Sequence, residues 1–171
     1  MTPIALVWLI GPKGPLHRVE RAVTLAFVGL AGSGALAILV ALVRDMLRRP
    51  GTMDGLQLLT SSIAVWATNV LTFSLLYWQM DRGGPSLRAS GALQRDWMFA
   101  QDQITPRQPF EAWRPAFIDY LFLAYSTATA FSTTDSVPLS GRAKLVMMVE
   151  SSISLVCLVV VGARAINVLG N

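Results

Sequence analysis

Apolar and polar positions sort the chain into long uncharged runs joined by short charged connections. Ala22 to Val43 carries no charged side chain, and neither does Leu56 to Trp78, which ends in Tyr77 and Trp78, residues that suit the headgroup region. Each is long enough to cross about 30 Å of hydrocarbon at about 1.5 Å per residue. A third run, 145–165, holds one acid, Glu150, and one base, Arg164. This pattern predicts an all-α integral membrane protein, one membrane domain over 1–171, with transmembrane helices at 22–43, 56–78 and 145–165. Met1 to Ile10 is also apolar, but Gly11, Pro12, Gly14 and Pro15 stop it short of a span or a complete signal peptide, so it is expected at the interface.

The few polar positions inside the runs have helical spacing. Ser62, Trp66, Asn69 and Phe73 share one face of the second helix, and Thr68 and Thr72 share another. Asn69 falls near mid-bilayer, where an interhelical hydrogen bond is its expected role and lining a wet cavity the alternative. Glu150 lies about 8 Å below the start of its run and costs too much to leave unpaired. Ser154, Cys157 and Val161 continue its face. For Glu150 a structural hydrogen bond or ion pair and a functional role stand level. Gly29 and Ser33 in the first run are spaced as a helix-packing face.

Between the second and third runs the pattern changes twice. Residues 79–115 hold five Arg and four acids, punctuated by Gly83, Gly84, Pro85, Pro106, Pro109 and Pro115. This is a long extramembrane connection, and loops of that length are usually functional or disordered. Trp97, Met98, Phe99 and Trp113 place parts of it against the membrane or the protein. Residues 117–138 then begin like a membrane helix but turn hydroxyl-rich at Ser126, Thr127, Thr129, Ser132, Thr133 and Thr134. As a helix, Tyr120 to Phe131 covers only about 18 Å. Non-helical backbone at membrane depth is tolerated only where protein buries it or water lines it. The segment therefore reads as a re-entrant pore-helix-like unit, with a four-span bundle as the alternative.

Composition sharpens this picture. Charged residues make up 14% of the chain and hydrophobic ones 53%, far from an average soluble domain. The mean hydropathy is +0.52. The net charge of +4 comes from Arg and Lys residues that flank apolar runs, which speaks for membrane anchoring and against nucleic acid. The tight Arg44, Arg48 and Arg49 connection favours the cytoplasmic face of the plasma membrane. A re-entrant segment puts Arg164 on that side and Lys13, Arg18 and Arg21 on the other, contrary to the rule. His17 is the only histidine and Cys157 the only cysteine, which leaves no metal cluster, cofactor site or catalytic constellation to build, so no enzyme is expected.

Asp135 is followed by Pro138, with Lys144, Glu150 and the Ala163-Arg164 pair at set distances beyond. That arrangement resembles the pore module of the tetrameric potassium-channel superfamily: outer helix, short pore helix, filter loop ending in Asp with Pro three residues on, and inner helix. More closely, the chain resembles uncharacterised small bacterial multi-pass membrane proteins that share an ATAFS-x-TD motif and a PL pair, here Ala128 to Asp135 and Pro138-Leu139. The channel resemblance implies a homotetramer passing a monovalent cation. It departs at the filter, where Ala130, Phe131, Ser132, Thr133 and Thr134 stand in place of a TVGYG-like run. Potassium filters need glycines whose backbone turns successive carbonyls toward the ion. Thr134 would put a β-branched side chain where positive φ is required. A standard potassium filter is thereby rejected, and the gating glycine of the inner helix is replaced by Ser154.

Two functions remain. One is a weakly selective cation pore lined by the hydroxyls of Thr129, Ser132, Thr133 and Thr134, with Asp135 as an acid ring at its mouth. The other is a non-conducting structural or regulatory membrane subunit that keeps a channel-like fold.

Overall fold

The computed structural model describes residues 15–48, 55–85, 88, 95–103, 113–129 and 136–169. Helix α1 runs Pro15–Arg48, α2 Gly55–Met80, α3 Phe117–Ala128 and α4 Gly141–Leu169. Among the described residues, three helical stretches are long and apolar enough to cross a membrane: Arg21–Arg44, Leu59–Gly83 and Gly141–Gly162. The 12-residue α3 is not one of them.

Helix α2 is the centre of the bundle and packs against α1, α3 and α4. On α1 the inward positions are Val28, Ala35, Leu39 and Leu42, a repeat near 3.5 residues, and the last three meet Val65, Cys157 and Val160. The close approach to α2 falls at Gly32, where a Cβ would lie 3.4 Å from Thr72 Cγ2. Gly29, expected on a packing face with Ser33, has nothing within 4 Å and is exposed, as is Ser33. The spacing located small residues on α1 but picked a face one position away from the one that packs.

The ends of α3 and α4 follow from local chemistry. Pro115 is buried, Ala116 is extended, and the Asp119 carboxylate accepts the Ala116 N–H at 2.7 Å, placing an acid in the first turn where the helix dipole favours it. Ser140 caps α4: its Oγ accepts the Ala143 N–H at 3.1 Å. That cap starts the helix four residues before the apolar run begins.

A two-stranded ribbon, absent from the all-α expectation, joins the two unusual segments. Strand β1, Trp97–Phe99, pairs antiparallel with β2, Ser136–Pro138, in the register Trp97↔Pro138 and Phe99↔Ser136. Trp97 and Phe99 point inward, as the two-residue period of a strand requires, and join Phe73, Tyr77, Tyr120 and Leu123 in the larger core. Trp97 lies 4.8 Å from Tyr77 between ring centroids, and Phe99 lies 5.3 Å from Tyr120. The aromatic stretch that the sequence placed against membrane or protein is thus part of the protein's own core.

Candidate functional site

Two buried polar clusters lie along α2, one at its Met80 end and one deeper. At the Met80 end a 3-10 turn, Asp81–Gly83, breaks the helix through three successive positive-φ residues, Arg82, Gly83 and Gly84. The break leaves Asp81 fully buried beneath the loop. Its Oδ1 accepts the Asp96 N–H at 2.9 Å and its Oδ2 accepts the Tyr120 hydroxyl at 2.6 Å. Arg88 supplies countercharge 3.8 Å away, beside the Arg82 Nε at 3.7 Å. The Arg88 guanidinium donates to Tyr120 Oη at 3.0 Å and to the Trp78 carbonyl at 3.2 Å, and its Cζ sits 5.0 Å from the centre of the Tyr120 ring. Burial and the Asp81 carboxylate both hold the Tyr120 phenol protonated well above its ordinary range.

Asp96 continues the same cluster. Arg142 forks onto it, with Nε to Oδ1 and one terminal nitrogen to Oδ2, both at 2.6 Å, a bidentate pairing. The Ser140 hydroxyl that caps α4 also donates to Asp96 Oδ1 at 2.5 Å. Beside it, Asp102 holds Arg95 at 2.6 Å and accepts the Phe99 N–H at 3.1 Å. This cluster binds the end of α2, the 79–115 connection, α3 and the start of α4 into one latch.

The deeper cluster is built on Glu150 of α4, which is fully buried. Tyr77 Oη of α2 donates a short hydrogen bond to Glu150 Oε2. Asn69, two turns away on the same face, donates to Ser154 Oγ at 2.8 Å and approaches the Glu150 carbonyl at 3.4 Å. From α3, the Thr127 carbonyl lies 3.5 Å from Ser151 Oγ. Glu150 Oε1 has no hydrogen-bond partner among the described residues, and no described cation pairs with the carboxylate. No described group of His, Cys, Asp and Glu is arranged to hold a metal ion.

No family model, curated protein or solved structure matches the chain. What the site does must be read from its own residues. Of the candidates from the sequence, the structure brings Asn69, Glu150 and Ser154 together, and Asn69 takes the interhelical role expected of it. Cys157 and Ser154 are buried on the Glu150 face, as their spacing predicts. Thr129 ends α3, half-buried, with its hydroxyl turned back to the Tyr125 and Ser126 carbonyls at 2.8 and 3.3 Å. Ser132, Thr133, Thr134 and Asp135 lie outside the described residues.

Tyr77 is the residue the sequence pattern passed over. Aromatic and last-but-one in its run, it reads as a headgroup anchor, yet it is fully buried. The row Ser62, Trp66, Asn69, Phe73 reaches Tyr77 when extended by one turn, so the signal was present. Asp81, Arg88, Asp96 and Arg142 have no such signal, because their pairing spans connections rather than a helix face.

Proposed function

We propose that the chain is a channel-like subunit of the plasma membrane that assembles as a homotetramer and passes monovalent cations with weak selectivity. On this reading α1, α2 and α4 cross the bilayer and α3 enters and returns. The observation that supports it is the placement of residues 117–129 and 136–142 against α2 and α4. Phe117 packs against Trp78, and Arg142 reaches the Met80 carbonyl at 3.4 Å, so both flanks hang on the same end of α2. Between them α3 runs down to Thr127 beside Ser151, ten residues into α4. Ile118, Phe122 and Tyr125 form an exposed apolar row on α3, suited to contact with a neighbouring subunit. Asp135, four to a ring at the mouth, would concentrate cations.

One observation favours the non-conducting reading. Thr127 and Thr129 spend their hydroxyls on carbonyls of their own helix, at 2.8 Å each, as they would in a scaffold that displays nothing to an ion.

Cation flux into liposomes containing the purified, tetrameric protein separates the two. The pore reading expects flux in the wild type, with cation preference lowered in Asp135→Asn and conduction altered in Thr133→Ala. Folded tetramer without flux leaves the scaffold reading standing alone.

A further inference from the structure

On the exposed flank of α1, Leu36, Val40, Arg44 and Arg48 follow one another at intervals of four, forming a ridge inclined to the helix axis. A groove runs along each side of this ridge, and both grooves include all four residues. One, of about 600 Å³, lies between α1 and α4 and is walled by Leu39, Val43, Ile153 and Val156. The other, of about 680 Å³, follows the Ser33, Ala37 and Ala41 side of α1. Each volume is within the range of ligand-binding clefts. The grooves are apolar along their length, and both carry positive charge at the end where Arg44 and Arg48 stand. Among the residues whose side chains are described, no acid lines either groove and none is ion-paired to Arg44 or Arg48.

The geometry points to an anionic diacyl phospholipid as the occupant, its phosphate held by Arg44 and Arg48 and its two chains laid on either side of the Leu36–Val40 ridge. Two apolar channels that meet at a pair of cations match the shape and charge of such a lipid. A single-chain amphiphile would fill one groove, and a soluble anion would gain nothing from the apolar walls. Basic pockets at the ends of membrane helices are a known means of selecting anionic headgroups. The arginine pair also belongs to the tight connection that charge distribution assigns to the cytoplasmic leaflet, where anionic lipids concentrate. This inference rests on α1 crossing a bilayer and is independent of whether the protein conducts.

The test begins with alkaline carbonate extraction of membranes from cells expressing the full chain. Protein released to the soluble fraction overturns the membrane reading itself, and this inference with it. Membrane-retained protein is then purified in mild detergent and titrated with phosphatidylglycerol or phosphatidylcholine, and bound lipid is counted by native mass spectrometry. The expectation is a preference of roughly tenfold or more for phosphatidylglycerol. It should be lost in Arg44→Ala/Arg48→Ala, kept in Arg44→Lys/Arg48→Lys, and unchanged in Lys144→Ala at the far end of α4. Val40→Trp, which fills the ridge flanks with both arginines intact, should release lipid as well. Equal retention of the two lipids, an equal loss in Lys144→Ala, or full retention in Val40→Trp each overturns the site. So does displacement of the lipid by millimolar inorganic phosphate alone, which would make the arginines a simple anion site.

Discussion

Asp81 and Glu150 are equally buried, yet the protein treats them in opposite ways. Asp81 has a partner on each oxygen and two arginines close by. Its neighbour Asp96 is gripped by a bidentate arginine and a serine. Glu150 receives one hydrogen bond, from a neutral phenol, and its second oxygen is unpartnered among the described residues. Burial alone therefore does not distinguish a structural acid from a functional candidate; the degree of compensation does. A carboxylate whose charge and lone pairs are all answered is part of the fold. One that is answered by half needs another explanation, and intramembrane acids that face a bundle interior are where such explanations are usually functional.

The comparison breaks most directly at Asp81. Removing one partner of a buried ion pair leaves the other charge uncompensated, typically a loss of about 3–5 kcal/mol. Asp81→Ala should therefore destabilise the detergent-solubilised protein by that order, as followed by chemical denaturation. Adding Arg88→Met should restore part of the loss, since an apolar side chain no longer needs the carboxylate. An Asp81→Ala protein as stable as wild type would mean that the latch does not hold the fold, and the contrast with Glu150 would lose its basis.

At Glu150 the contrast predicts the reverse response. Glu150→Gln keeps an acceptor for the Tyr77 hydroxyl in a side chain that never carries charge, so it should unfold at or above the wild-type midpoint. Tyr77→Phe takes away the one hydrogen bond the carboxylate has, which costs about 1–3 kcal/mol. That cost should shrink when Tyr77→Phe is made in the Glu150→Gln background. If Glu150→Gln is instead as damaging as Asp81→Ala, Glu150 is a structural acid after all.

These two regions also differ in how far they could be read from the chain. The deep cluster lies on helices, and a period of 3.6 residues carries side-chain direction with it, so Asn69, Glu150, Ser154 and Cys157 could be set facing inward from spacing alone. Tyr77 was missed because its place at the end of an apolar run suggested an interfacial anchor, although the same row leads to it. The latch is another matter. Asp81 to Asp96 is a contact across a turn of positive-φ residues, and Asp96 to Arg142 joins positions 46 residues apart. No local rule links those residues. The ribbon between Trp97–Phe99 and Ser136–Pro138 is equally invisible, because three-residue strands carry too little alternation to register as a pattern.

The smallest expected effect concerns the one contact that the sequence named in kind before the structure named its partner. Asn69 donates to Ser154 at 2.8 Å, with both side chains buried between α2 and α4. On the proposal that α2 and α4 cross a bilayer, such a bond has no competition from water, which argues for a large contribution; but the unfolded chain in the membrane also finds partners for its polar groups, which cancels much of it. Measured couplings of this kind average about 0.6 kcal/mol. A double-mutant cycle of Asn69→Ala and Ser154→Ala should return a coupling of that size in unfolding free energy. Each single change would cost more than the coupling, because each also leaves a cavity or an unpaired group. A coupling near zero would mean that Asn69 is held by the Glu150 carbonyl, 3.4 Å away, rather than by Ser154. The deep cluster would then be anchored to the backbone of α4 beside the half-answered acid, and Glu150 would be positioned by α2 through two contacts instead of one.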